Sequence, residues 1–436
     1  MESKFPLPQT KPESVGMSSE RLAKLRPAMQ RYIDANQVPN IVILVARDGK
    51  IVYFDAQGYA DVEAKKPVAK DTIFRLYSDT KPITGVATMI LQEAGLLNLN
   101  DPISKYIPAF KNPMVVNWSL PGRHKPMPVS PFIIPARREI TIRDCLANTT
   151  GLATPWGAPR PIRIKYKKLA DEAGWDITES IDTPPRKNYR ERVEAHAQIP
   201  LNYEPGTEYE YHIGYPVMGV VIETITGKTL EEFYQEKIFR PLGMKDTSFY
   251  LDKSKLKRFS TSYQPEFKNG KWGMSVFDKA ETSEKVTGPK IYFGAGGDMA
   301  GVLSTASDYA RFVQMLLNNG EFNGVRILGR KSVEIITSDH TGNAVNNDLA
   351  PGFGFGLGVE VYRGDSPYPV MRSPGAYGKG GACGTIFFAD PKEKLFAICF
   401  SQKMISAAMV READTQTVPD HTYLEEYERL VYQALL

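Results

Sequence analysis

Apolar positions recur three and four residues apart at Leu22, Leu25, Met29 and Ile33, which predicts an amphipathic helix over residues 20–35. The pattern then changes. In "IVILVARDGKIVYFDAQGYAD" two runs rich in β-branched residues flank Asp48-Gly49, a favoured hairpin turn, so two antiparallel strands are expected. Near the other end "GTIFFADPKEKLFAICFS" (384–401) repeats the arrangement, with "DPKEK" as the connection. The final stretch returns to helical spacing at Leu424, Tyr427, Val431 and Leu435. A further helix is expected to begin near Ser78. Ile83, Val86, Ile90, Leu91 and Ala94 share a face, Pro82 fits only in a first turn, and Gly95 stands at the stop.

Both chain ends therefore read as sheet plus helix, and the middle does not. Residues 100–290 carry short helical patterns and few strand-like runs, with six prolines between Pro113 and Pro135. Irregular stretches of that length generally serve function, and residues 112–137 are expected at a pocket rim. The architecture predicted is α+β: an antiparallel β-sheet flanked by helices, with a mostly helical domain inserted. The sheet domain is expected from residues 1–99 and 291–436, and the insertion from 100–290. No repeat at a solenoid period is present.

Composition narrows the function. A chain of 436 residues with 42% hydrophobic and 24% charged residues is an ordinary globular sequence. The net charge of +4, with signs interspersed, gives no reason to expect nucleic acid or a membrane as partner. The basic run "LDKSKLKRF" (251–259) is expected to be a solvated surface. No apolar stretch approaches the roughly 18 to 20 residues needed to span a bilayer. The N-terminus lacks the apolar core of a signal peptide, so a cytoplasmic location is expected. Cys145, Cys383 and Cys399 are widely spaced, and the five histidines form no HExxH or HxH pair. Neither a disulfide framework nor a metal or other cofactor is expected. Nothing in the pattern specifies an oligomeric state.

Ser78 and Lys81 are the first candidates for chemistry. Three apart in a first helical turn, they can reach each other. A bland reading competes, because serine is a good N-cap and "SKLK" at Ser254 to Lys257 repeats the spacing in the basic run. The two settings differ: Ser78 lies between a β-rich segment and an apolar helix, whereas Ser254 is flanked by lysines. A serine hydroxyl needs a base to become nucleophilic, and a free lysine with pKa of about 10.4 is protonated at neutral pH. Burial and a helix N-terminus lower that value. Such a pair calls for a third polar group to carry the proton and for backbone N–H groups to hold an oxyanion.

Candidates for both exist. In "EPGTEYEYHIGYPVMGVVIETITGKTLEEF" (204–233) a Pro-Gly turn precedes Tyr209 and Tyr211, and a helical run follows. Tyr211 can point into a cleft, although tyrosine is equally at home in a half-buried strand. In "SPGAYGKGGACGTIFFAD" (373–390) glycines cluster where a strand starts, which permits close backbone approach or marks a plain turn. Lys379 within it is expected to be solvated, with an anionic substrate group as its alternative partner. Other signals fail. Gly-x-Ser-x-Gly is absent, "ITGKT" has Ile222 where a P-loop needs its first glycine, and "GAGGDMAG" (294–301) reads as a turn before a helix.

Taken together, these segments resemble the serine β-lactamase and penicillin-binding-protein superfamily. Within it the chain is most similar to the class C β-lactamase-like carboxylesterases, or family VIII esterases. The resemblance runs from about residue 14 to the C-terminus through "FRLYSDTKPITGVATMILQEAGLLNLNDPISKYIP", "ITIRDCLANTTGL", "EPGTEYEY", "GGDMAGVLSTASDYARFVQMLLNNG" and "FGFGLGVEV". It implies a β-lactamase/transpeptidase-like fold. It implies Ser78 as nucleophile, Lys81 as its base partner and Tyr211 as the proton shuttle. Lys379-Gly380-Gly381 takes the place of the third motif and binds substrate, and the Ser78 and Ala382 N–H groups form the oxyanion hole. Two departures matter: Ile213 replaces the asparagine of Tyr-x-Asn, and Gly380 replaces the threonine of Lys-Thr-Gly. Both favour an esterase of small short-chain esters over a β-lactamase. Lys379 pulls the other way, since a lysine there suits a substrate carboxylate. The alternatives are a β-lactamase, a D-amino-acid peptidase or amidase, and a non-catalytic relative that only binds acyl ligands or penicillin.

Overall fold

Eight antiparallel strands make the central sheet: β1 (Asn40–Arg47), β2 (Lys50–Asp61), β3 (Lys66–Pro67), β4 (Phe353–Phe355), β5 (Glu360–Tyr362), β6 (Tyr377–Gly381), β7 (Thr385–Asp390) and β8 (Leu395–Phe400). They lie in the order β4-β5-β6-β7-β8-β1-β2-β3, so the two ends of the chain meet where β8 pairs with β1. This computed structural model describes residues 7–117, 132–152, 189–268, 270–287, 294–296, 300–346, 349–404 and 422–436. The β1–β2 turn forms as its sequence predicts, with Asp48 at φ 49° and Gly49 at φ 71°. Two left-handed residues in succession match the twist of the strands they join.

Alternation along the central strands sorts side chains into two cores. Ile41, Ile43 and Val45 of β1 and Ala397 and Cys399 of β8 face one side. There they meet Leu25 and Met29 of α1 (Leu25–Asp34) and Tyr423, Tyr427 and Val431 of the C-terminal helix (Thr422–Gln433). Val42, Leu44, Phe396, Ile398 and Phe400 face the other side, against α2 (Lys81–Glu93) and the helix Ala306–Leu317. The second core does not stop at the sheet domain. It continues into the middle of the chain through α3 (Ile142–Leu146) and α4 (Gly214–Thr226), whose Val217, Met218 and Val221 are fully buried. Together with Ala306–Leu317 (α5) and Thr422–Gln433 (α6), these helices flank the sheet as the sequence predicts.

Three expectations change in detail. The helix predicted over 20–35 is split into Ser19–Leu22 and α1, because Pro27 has no N–H to continue an existing helix and instead sits in the first turn of a new one. Helix α2 is not amphipathic at its start: every residue from Lys81 to Met89 is buried, while Ala94, assigned to its apolar face, is exposed. The middle of the chain also holds more strand than its pattern suggests, including a hairpin of Ser262–Lys268 and Lys271–Asp278 and another of Met114–Asn117 and Phe132–Pro135. Most of the Pro-rich stretch (118–131) and residues 297–299 of the 294–301 turn lie outside the described residues. Among the described residues no helix is long and apolar enough to cross a membrane.

Candidate active site

The Ser78 turn is built by its neighbours rather than by its own sequence alone. Residues Tyr77–Thr80 form a 3₁₀ turn that runs into α2 at Lys81. Tyr77 is held at φ 47°, a left-handed conformation that costs a side-chain-bearing residue about 1 kcal/mol or more. Packing fixes it there: Leu76 N–H donates to Val302 O at 3.0 Å, and the Tyr309 hydroxyl donates to Asp79 O at 2.8 Å. From the sheet side, Gly381 of β6 comes so close that a Cβ there would lie 2.2 Å from Leu76 O. No residue but glycine fits. Ser78 itself is half-buried and reachable, whereas Asp79, Thr80 and Lys81 are fully buried.

Lys81 Nζ lies 3.0 Å from Ser78 Oγ. The same ammonium donates to Gly296 O, and His212 Nδ1 is 3.3 Å away. The bland N-cap role of Ser78 is not used, since neither the 3₁₀ turn nor α2 has a side-chain cap. Ser254, the other serine in this spacing, is exposed in the basic run as expected.

Tyr211 is half-buried, its ring centroid 4.5 Å from Lys81 Nζ and 4.8 Å from Lys379 Nζ. It hydrogen-bonds with Lys81 and Ser78. Burial acts to raise the pKa of its phenol, but the charges of Lys379 and Lys81 with those hydrogen bonds outweigh it, and the value falls below the ordinary 10.0. The segment that carries Tyr211 is anchored by a residue the sequence did not flag. Asn148, in the loop after α3, accepts the His212 N–H on Oδ1 at 3.0 Å and the Glu210 N–H on its carbonyl at 2.9 Å. His212 is thereby held at φ 102°, and the chain turns into α4 directly behind Tyr211.

Lys379 departs from expectation. It is not solvated but 7% exposed, paired at 2.5 Å with Glu360 on the neighbouring strand β5. Burial acts against its charge, yet the Glu360 carboxylate holds the pKa above the ordinary lysine value. Gly380 and Gly381 follow it along β6 toward Ala382. The predicted residues come from three places in the chain, 78–81, 211 and 379–382, and Asn148, His212, Gly296 and Glu360 join them. All four lie in stretches quoted from the sequence, but none was itself singled out.

The β-lactamase family profile matches residues 25–418. The chain belongs to the β-lactamase family. Members of this superfamily are serine hydrolases. An uncharacterized protein of Mycobacterium tuberculosis is 30% identical over 424 residues, covering 94% of this chain and 98% of its own length. A putative D-alanyl-D-alanine carboxypeptidase of Escherichia coli K12 is 26% identical, covering 96% of this chain and 90% of its own. Among solved structures, EstCE1, a hydrolase with promiscuous acyltransferase activity, superposes with a TM-score of 0.73 at 23% identity, covering 95% of this chain and 99% of its own. Simvastatin synthase (LovD) from Aspergillus terreus gives 0.71 at 20% identity over 95% of this chain and 98% of its own. These two likenesses establish the β-lactamase/transpeptidase-like fold.

Proposed function

We propose that this β-lactamase-family chain is a serine carboxylesterase acting on small short-chain esters through an acyl-enzyme on Ser78. The observation that carries the reading is the 3.0 Å contact of Lys81 Nζ with Ser78 Oγ, with Tyr211 hydrogen-bonded to both. Lys81 in its neutral form takes the hydroxyl proton as Ser78 Oγ bonds to the ester carbonyl carbon. The oxyanion that develops is held by the N–H groups of Ser78 and Ala382. Tyr211 passes a proton to the departing alkoxide, which leaves as the alcohol. Water then attacks the acyl carbonyl as the Tyr211 phenolate takes its proton, the Ser78–acyl bond breaks, the carboxylic acid departs, and Ser78 recovers its proton from Lys81. Ester rather than β-lactam substrates are favoured because Ile213 and Gly380 stand where Tyr-x-Asn and Lys-Thr-Gly supply polar side chains.

Brief exposure to a fluorophosphonate should shift the mass of the peptide containing Ser78. The protein should also hydrolyse p-nitrophenyl butyrate much faster than nitrocefin. Ser78→Ala should lose the label and lower kcat/KM by about 10⁴-fold or more. Undiminished hydrolysis by Ser78→Ala removes the mechanism. Rapid nitrocefin turnover without ester hydrolysis replaces the esterase with a β-lactamase.

A further inference from the structure

Lys379 is a buried ammonium beside the reacting groups, 4.8 Å from the Tyr211 ring and 5.8 Å from that of Phe355. A cation so placed would normally be the anchor for a substrate carboxylate, because few other groups in the site can match a negative charge. Here the anchor is already taken. Glu360 Oε1 lies 2.5 Å from Lys379 Nζ, and the side chains are 7% and 35% exposed for lysine and glutamate respectively. Arg372, whose charge also acts on Glu360, is itself paired with both carboxylate oxygens of Glu428, at 2.8 and 2.6 Å.

Resting on the esterase reading, we propose that Glu360 is a specificity-determining residue that gives Lys379 its counter-ion from within the protein, so that the site selects uncharged esters and rejects those with a carboxylate near the scissile carbonyl. An incoming carboxylate has two courses. It can displace Glu360, leaving that side chain without its partner, or sit beside it and meet a like charge at short range. Both cost free energy, and neither cost falls on a neutral ester.

The test compares two esters that differ only in this charge, 3-acetoxybenzamide and 3-acetoxybenzoate, on the wild type, Glu360→Gln and Glu360→Asp. The wild type should favour the amide by about tenfold or more in kcat/KM. Glu360→Gln should shrink that preference about tenfold, and Glu360→Asp should keep it. A change in the reactivity of Tyr211 or Ser78 moves both rates together and cancels in the ratio, so a merely structural role for Glu360 would leave the ratio where it was. An unmoved ratio in Glu360→Gln overturns the proposal while leaving the esterase in place. Failure of the wild type to hydrolyse the amide overturns the esterase reading on its own. Should Glu360→Gln not fold, inhibition of the wild type by 3-carbamoylphenylboronic and 3-carboxyphenylboronic acids gives the same contrast. Tighter binding of the carboxylate would refute the idea, and tighter binding of the amide would support it.

Discussion

Asp79 sits between Ser78 and Lys81 with no exposed surface. Burial drives its carboxyl pKa from 3.8 up to about 8, against smaller lowering by the Thr385 hydroxyl and the Lys379 and Lys81 charges. The folded chain therefore keeps this proton through neutral pH, while the unfolded chain releases it near pH 4. Folding takes up a proton in that interval, so the stabilising contribution is complete below about pH 4 and is lost as pH rises toward 8. Asp79→Asn has no proton to lose. Its melting temperature relative to wild type should rise steadily between pH 5 and 8, read by thermal unfolding at three or four pH values. A difference that stays constant across the range would show that Asp79 does not titrate on folding. At this scale the sequence was most legible where chemistry is local. Ser78 and Lys81 share one helical turn, and Tyr211 follows a Pro-Gly turn. Gly296 acts through a backbone carbonyl that any residue possesses, and Asn148 and Glu360 act through placements set by distant chain segments, so none of the three stood out in the sequence.

At the scale of elements, β6 shows how two adjacent glycines differ in what they require. A Cβ on Gly380 would meet Thr385 O at 3.4 Å and Ile386 Cγ1 at 3.9 Å, which is ordinary contact. A Cβ on Gly381 would lie 2.2 Å from Leu76 O and 2.3 Å from Thr385 Oγ1. The first of those is backbone in the turn that presents Ser78, so relief of the clash must move Ser78. Gly380→Ala should remain within about 1 kcal/mol of wild type. Gly381→Ala should lose about 1–3 kcal/mol and label far more slowly with a fluorophosphonate. Denaturant midpoints and labelling rates measure both, and equal behaviour of the two variants would refute the packing argument. The elements themselves were legible where local signals agreed, as at Asp48-Gly49 and in the turn between β7 and β8. The hairpin of Ser262–Lys268 and Lys271–Asp278 was not expected from the sequence, where Pro265 argues against a strand. A two-stranded ribbon tolerates proline, since one edge of each strand has no ladder to complete.

The whole molecule is held together by contacts that join the sheet to the middle of the chain. Its second core contains Val42, Leu44 and Phe396 from the sheet together with Val217, Leu230 and Phe239 from the middle of the chain, without a break between them. Arg75 strengthens the same junction with polar contacts. Fully buried three residues before Ser78, it donates through Nε to Asp278 Oδ2 at 2.8 Å and through a terminal nitrogen to Ser260 O at 2.6 Å and Gln402 Oε1 at 3.2 Å. Its guanidinium carbon lies 4.0 Å from the Phe259 ring centroid. The sequence expectation places domain boundaries near residues 99 and 291, and this second core runs across both positions. One cooperative unfolding transition is therefore expected, in which near-UV circular dichroism and hydrolytic activity are lost together. Arg75→Met should lower stability by about 3 kcal/mol, the low end for breaking a buried ion pair, because the Asp278 left behind can still reach solvent. The variant should keep a single transition, displaced to lower denaturant with activity and dichroism still coincident. Activity lost well before dichroism, in the wild type or in Arg75→Met, would mean that the insertion opens on its own and that the continuous core does not couple the two parts.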